Sequence, residues 1–272
     1  MGKYKGKFIL NTQGVLIILF TYLVVNLFLT GIGMVVGIEY MQDAYFQAGS
    51  YFLLFGLIIC SFDYFVVLKE TGKHFSPDLK KVPLKTYLLI FPMVIGMMLI
   101  SDYFVALIPT NKGILKDWYN AMVQAINVLQ QKEYILILVT VILAPILEEI
   151  LFRGIVMKGL INRGINPKSA ILMSALAFGI THANPWQSAG AFLMGLALGL
   201  VYYKTESIYA SILLHSFNNL ISVLMMIYSP NSNTYSKLFN IPNWWILAIG
   251  VLLFSVFYYL FMHRESSIKQ IK

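Results

Sequence analysis

The sequence predicts an all-α, polytopic membrane protein of about eight transmembrane helices with both termini in the cytoplasm. Three observations predict it: an apolar composition, apolar runs of near-spanning length, and lysines and arginines gathered on one side. Of 272 residues, 58% are hydrophobic and 12% charged, with a mean hydropathy of +0.73, far from soluble globular proteins. The runs fall at about 14–37, 44–68, 84–109, 134–156, 169–183, 188–203, 206–227 and 243–263. With the N-terminus inside, Lys112, Lys116, Lys132 and Lys237 lie outside, Arg153 lies within a span, and the other fifteen of the 20 basic residues lie inside. That asymmetry is the one expected of cytoplasmic loops and requires an even number of crossings.

The first run follows Lys3, Lys5 and Lys7 like the start of a secretory signal peptide, but it is long and has no small-x-small cleavage site. It reads as a retained signal anchor. The second holds Cys60, the sole cysteine, expected to serve packing; no intrachain disulfide or thiolate metal site follows from it. Asp63 and Asp102, in the second and third runs, each lie within about two turns of an end and read as structural. The basic connection from Lys69 to Pro83 is placed inside. That from Pro109 to Lys132 is placed outside, where Trp118, Tyr119, Ala121, Met122, Ala125, Ile126 and Leu129 are spaced as an amphipathic helix lying on the interface.

The fifth and sixth runs are short for a hydrocarbon core about 30 Å thick. Only His182-Ala183-Asn184-Pro185 separates them, so they are two spans or one re-entrant hairpin, with the same topology either way. Ala191, Gly195 and Gly199 recur every four residues on the sixth and predict a close helix contact. Trp244 and Trp245 open the last run as an aromatic belt. The chain divides into a three-span region with its amphipathic outer segment (1–133), a transmembrane core that holds the chemistry (134–263) and a cytoplasmic tail (264–272). The net charge of +8 sits in inner loops rather than on one patch. It fits anionic lipid headgroups and not nucleic acid.

Glu148-Glu149-Ile150-Leu151-Phe152-Arg153 places three ionisable groups inside an apolar run. Charge at that depth costs about 2.5–3.5 kcal/mol per group on insertion scales and marks a candidate functional site. Glu149 and Arg153, four apart on one helix face, can neutralise each other in the favourable order. Glu148 is then the carboxylate left to act as a general base. Pro145 just before it removes an amide and predicts a kink. His74 and His263 are placed in solvent. His182 closes Phe178-Gly179-Ile180-Thr181-His182, with Phe178 on the same face, and Ser211, His215, Asn219 and Ser222 form a polar stripe on the seventh run. A water held by this set could be deprotonated by Glu148 while His215 and Asn219 stabilise an oxyanion. Glu148, His182 and His215 could instead hold one divalent Zn2+. The residues leave both readings open, and no His-Glu-x-x-His pair favours metal.

Glu-Glu-x-x-x-Arg at 148–153, Phe-x-x-x-His at 178–182 and His-x-x-x-Asn at 215–219, in that order, resemble the motifs of the CPBP family, the CAAX prenyl proteases and bacteriocin-processing enzymes also called Abi. The resemblance covers the C-terminal half. It implies an eight-helix intramembrane endopeptidase, metallo- or glutamate-type, in which Glu148 activates water and His182 assists it or binds metal. His215 and Asn219 would form the oxyanion site, with Glu149, Arg153 and Phe178 in support. The implied partners are a hydrophobic or lipidated peptide substrate and membrane lipids; the implied location is a bacterial plasma membrane, with peptide maturation or bacteriocin immunity as possible settings. Two other classes of reading compete: a non-catalytic immunity or regulatory membrane protein, and a transporter in which the same groups relay protons. An internal repeat, expected of many transporters, is absent from the sequence.

Overall fold

The computed structural model describes residues 6–37, 42–229 and 234–269, with side chains as far as residue 263. Lys3, Lys5 and Lys272, and the side chains of Arg264 and Lys269, lie outside the described residues. The described chain is helical, with no β-strand beyond one isolated bridge between Leu79 and Ser207. In order, the helices are α1 (Thr12–Val36), α2 (Ala44–Thr71), α3 (Leu84–Ala106), α4 (Gly113–Gln130) and α5 (Glu133–Asn162). They continue with α6 (Pro167–Ile180), α7 (Pro185–Thr205), α8 (Ile208–Tyr228), α9 (Tyr235–Phe239) and α10 (Asn243–Lys269).

Six of these, α1, α2, α3, α5, α8 and α10, are long and apolar enough to cross a membrane. The remaining two of the about eight expected, α6 and α7, are the runs read from sequence as two short spans or one re-entrant hairpin. With 14 residues, α6 rises about 21 Å at 1.5 Å per residue, short of a 30 Å core. At 21 residues, α7 is long enough, but Gln187, its glycines and Tyr202-Tyr203-Lys204 dilute its apolar run. The two pack as an antiparallel hairpin. A Cβ on Gly179 of α6 would lie 2.8 Å from the Ser188 carbonyl oxygen of α7, and one on Gly195 would lie 3.1 Å from Ala175 Cα. Gly195 thus makes the predicted close contact, and Gly179 joins it.

By packing, the chain forms two compact units, each drawing on sequence from both sides of residue 133. The first comprises 1–77 and 120–170. Along α2, Ala44, Ala48, Tyr51, Phe55, Ile58 and Phe62 recur at alternating spacings of four and three, the seam of a left-handed helix pair. Near its start the seam meets Ile135 and Val139 of α5. At its far end the seam meets α1, where a Cβ on Gly14 would lie 2.9 Å from the Phe62 ring. The arm before α1 is tied down. Leu10 N donates to Gly159 O at 3.1 Å, and Asn162 Nδ2 to Phe8 O at 2.9 Å. Ile9 N donates to Glu70 Oε2 at 2.8 Å. Cys60 is exposed on α2 rather than packed, correcting that expectation.

Two stretches of α5 are wound as π-helix, Leu138–Leu143 and Ile150–Met157. The first precedes Pro145, which has no N–H to give and crowds the carbonyl one turn back; a wider turn makes room for its ring. The helix therefore continues through Pro145. Glu148 and Glu149 close the short α-helical stretch between the two π segments.

The second unit comprises 78–119 and 171–272. Its core gathers Ile90, Met93, Val94 and Met97 of α3, Met194, Leu198 and Val201 of α7, Leu214 of α8 and Phe261 of α10. α3 and α10 approach backbone to backbone, since a Cβ on Gly96 would meet Phe254 N at 2.5 Å. Asp102 accepts from Tyr235 N at 3.2 Å and so anchors α9, a structural role as the sequence suggested. At the Lys-rich end, Ser207 caps α8 and donates to Lys80 O at 2.6 Å, and Tyr202 donates to Asp78 Oδ2 at 2.7 Å. The predicted amphipathic helix is α4, which buries no residue completely.

Candidate functional site

The carboxylates of α5 lie within the first unit. Arg153 Nη1 donates to Glu149 Oε1 at 2.7 Å, and both side chains are 0% exposed. The pair read from the four-residue spacing is therefore made, in the geometry an ion pair needs to withstand full burial. Glu148, 6% exposed, does not share Glu149's role. Its Oε1 accepts from the Tyr51 hydroxyl at 2.6 Å, a short bond. Tyr51 was not singled out from sequence. The signal was available: Tyr51 carries the one hydroxyl in the apolar seam of α2, and a buried phenol needs an acceptor.

The imidazoles lie within the second unit. His182 ends the α6 turn with Nδ1 2.9 Å from Phe178 O. A carbonyl oxygen only accepts, so Nδ1 carries a proton, and in the neutral form of the ring the lone pair falls on Nε2. Asn184 caps α7 by accepting from Gln187 N at 2.9 Å, while its amide nitrogen donates to His182 O at 3.0 Å. Between them, Ala183 takes φ 55°, a left-handed conformation unusual for a residue with a Cβ.

His215 of α8 is 4% exposed. The Phe178 ring meets it edge to face at 5.5 Å between centroids and meets His182 the same way at 5.1 Å. One aromatic ring thus packs edge-on against both imidazoles. One turn on, Asn218 Nδ2 donates to Asn219 Oδ1 at 2.9 Å. Ser211 and Ser222 of the stripe bond to backbone carbonyls, Leu198 O at 3.4 Å and Asn218 O at 3.1 Å, and so serve the helices themselves.

Outside this set, His74 is exposed as expected but is held by Asp63, with Nδ1 to Oδ2 at 2.7 Å. Asp63 also accepts from Phe75 N at 2.5 Å, which fits the structural role read for it. His263 Nδ1 meets Tyr259 O at 2.9 Å, so its ring too is held by its own helix. For the zinc expectation, the first unit offers a carboxylate and the second two imidazoles. Among the described residues no group of three or more His, Cys, Asp or Glu is gathered as a cation site.

Fold and side chains define a class: a polytopic helical membrane protein with a buried carboxylate, a buried ion pair and ring-packed histidines on its helices. Residues 130–221 match the family model described as Type II CAAX prenyl endopeptidase Rce1-like. A Bacillus subtilis (strain 168) protein described as "Putative membrane peptidase YdiL" is 35% identical over 104 residues, which cover 38% of this chain and 42% of that relative. The match thus spans less than half the length of the relative. No solved structure matches. Residues 130–221 are thus similar to this family of membrane endopeptidases.

Proposed function

We propose that the chain is an intramembrane endopeptidase that hydrolyses a peptide bond in a hydrophobic, membrane-associated or lipidated peptide. The observation that carries this reading is the run of three motifs, 148–153, 178–182 and 215–219, all inside the segment that matches the endopeptidase family. In this reading Glu148 takes a proton from water, and the resulting hydroxide adds to the scissile carbonyl carbon. His215 and Asn219 donate to the oxygen that becomes negative, as an oxyanion site requires. His182, with its lone pair on Nε2, accepts a hydrogen bond from the water and orients it. The C–N bond then breaks, and the proton held by Glu148 passes to the leaving amine. Glu149 and Arg153 neutralise each other beside the base, so that Glu148 alone carries the reaction's charge.

A hydrophobic substrate follows from a site on membrane helices, because such a peptide is already concentrated in the bilayer. Peptide maturation or immunity in a bacterial plasma membrane is the setting we assign to it. The test is cleavage of a small library of hydrophobic and prenylated peptides by purified protein in detergent, with Glu148→Gln and with a chelator as separate arms. Cleavage by wild type that Glu148→Gln abolishes supports the reading, and the chelator arm separates zinc chemistry from a glutamate–histidine mechanism. Equal cleavage by Glu148→Gln would overturn it. Failure of well-folded wild type to cleave any peptide would favour a non-catalytic membrane partner.

A further inference from the structure

We infer that Tyr51 is a positioning residue for the Glu148 carboxylate, fixing the direction in which it meets the water. The inference rests on the endopeptidase reading and extends its machinery to α2, outside the segment 130–221 that carries the motifs.

The geometry has three parts. First, the Tyr51 hydroxyl donates to Glu148 Oε1 at 2.6 Å, in the range of hydrogen bonds to an ionised acceptor. Second, the phenol cannot swing away. Its ring stacks on Phe55 at 4.7 Å and 30° between planes, and Phe55 is buried in the α2 seam. Third, the carboxylate sits on the last turn of a short α-helical stretch, directly before the π-wound Ile150–Met157. The change in winding lets Glu148 and Glu149 leave the helix in distinct directions, towards different partners. Tyr51 takes Glu148, and Arg153 takes Glu149.

A carboxylate with one oxygen pinned loses rotation about its last torsion. The carboxylate then has a defined direction, and a general base works by direction before it works by basicity. A phenol suits this task better than a cation would. It holds the oxygen through a strong bond yet brings no full charge to stabilise the carboxylate against taking a proton.

A purely structural role, in which Tyr51 only fills the seam, makes different predictions for Tyr51→Phe. That variant keeps the ring and its stacking and removes one oxygen atom. The infrared difference spectrum of Tyr51→Phe against wild type, in detergent, should show a shifted carboxylate stretch that disappears when the same comparison is made in a Glu148→Gln background. Absence of that band overturns the inference, whatever the activity. On a peptide that wild type cleaves, kcat should fall about 10- to 100-fold with KM and Tm unchanged. The same substitution should have no further effect on the residual rate of Glu148→Gln. Unchanged kcat, with Glu148→Gln inactive, would overturn the positioning role and leave the endopeptidase reading standing. The infrared band without any cleavage by wild type would sink the endopeptidase reading, and the catalytic role of Tyr51 with it.

Discussion

Arg153→Met tests the buried ion pair, the most expensive electrostatic arrangement in the first unit. Arg153 and Glu149 are both fully buried and bonded at 2.7 Å, and Glu148 adds a second negative charge close enough to attract the guanidinium. Removing the cation leaves a carboxylate in low dielectric without its ion-pair partner, a change that costs about 3–5 kcal/mol in comparable buried pairs. For a chain of this size that is a fall of roughly 6–20 °C in Tm, at 2–4 °C per kcal/mol. Replacing both partners, as Glu149→Gln with Arg153→Met, removes the charge imbalance and should recover most of the loss. The assay is thermal unfolding of wild type, both single variants and the double variant in one detergent, read as a double-mutant cycle. A double variant no more stable than Arg153→Met, or an Arg153→Met as stable as wild type, would refute the argument that the two charges neutralise each other.

Phe178→Leu removes the ring packed against His182 and His215 while keeping most of the volume; it should fold, with stability within about 1.5 kcal/mol, and lose kcat on a cleaved peptide. Phe178→Ala should cost about 3–5 kcal/mol in the same unfolding assay, because Phe178 is buried. Gly179→Ala puts a Cβ 2.8 Å from the Ser188 carbonyl oxygen and must push α6 from α7; a loss of about 1–3 kcal/mol is expected. Ala183→Val should lower Tm, since a β-branched side chain tolerates φ 55° poorly, whereas Ala183→Gly should not. Lys80 is held above the ordinary lysine range by its hydrogen bond to Glu206. A raised folded value means that the contribution is present at neutral pH and lost only as pH rises through that value. Lys80→Met should therefore cost less than about 1 kcal/mol at pH 7, as exposed pairs do, and nothing in strong alkali.

Local chemistry was legible in the sequence where spacing decides it. Glu149 and Arg153 four apart on a helix are neighbours whatever surrounds them, and the ion pair is made. Phe178 and His182 obey the same rule, and their rings meet. The amphipathic set at 118–129 also lies on one helix, α4. What spacing cannot reach is the partner on another helix. Tyr51 is 97 positions from Glu148, and only the α2 seam hinted that its hydroxyl must find an acceptor. The contact of Phe178 with His215 was hidden for the same reason. Cys60 was misplaced because helix burial depends on neighbours, and an apolar run reads alike whether it faces lipid or protein. The apolar runs also located α6 and α7 and the His182–Pro185 break between them, where Ala183 takes its left-handed turn.

The central claim is that Glu148 is the base of a peptide-bond hydrolysis. Its most direct test is the single-turnover rate of Glu148→Gln against wild type on a peptide that wild type cleaves, with both proteins shown to have the same Tm. The account predicts a loss of at least about 100-fold, as for removal of a general base, with peptide binding retained. A Glu148→Gln protein that folds, binds the peptide and cleaves it at the wild-type rate would contradict the account.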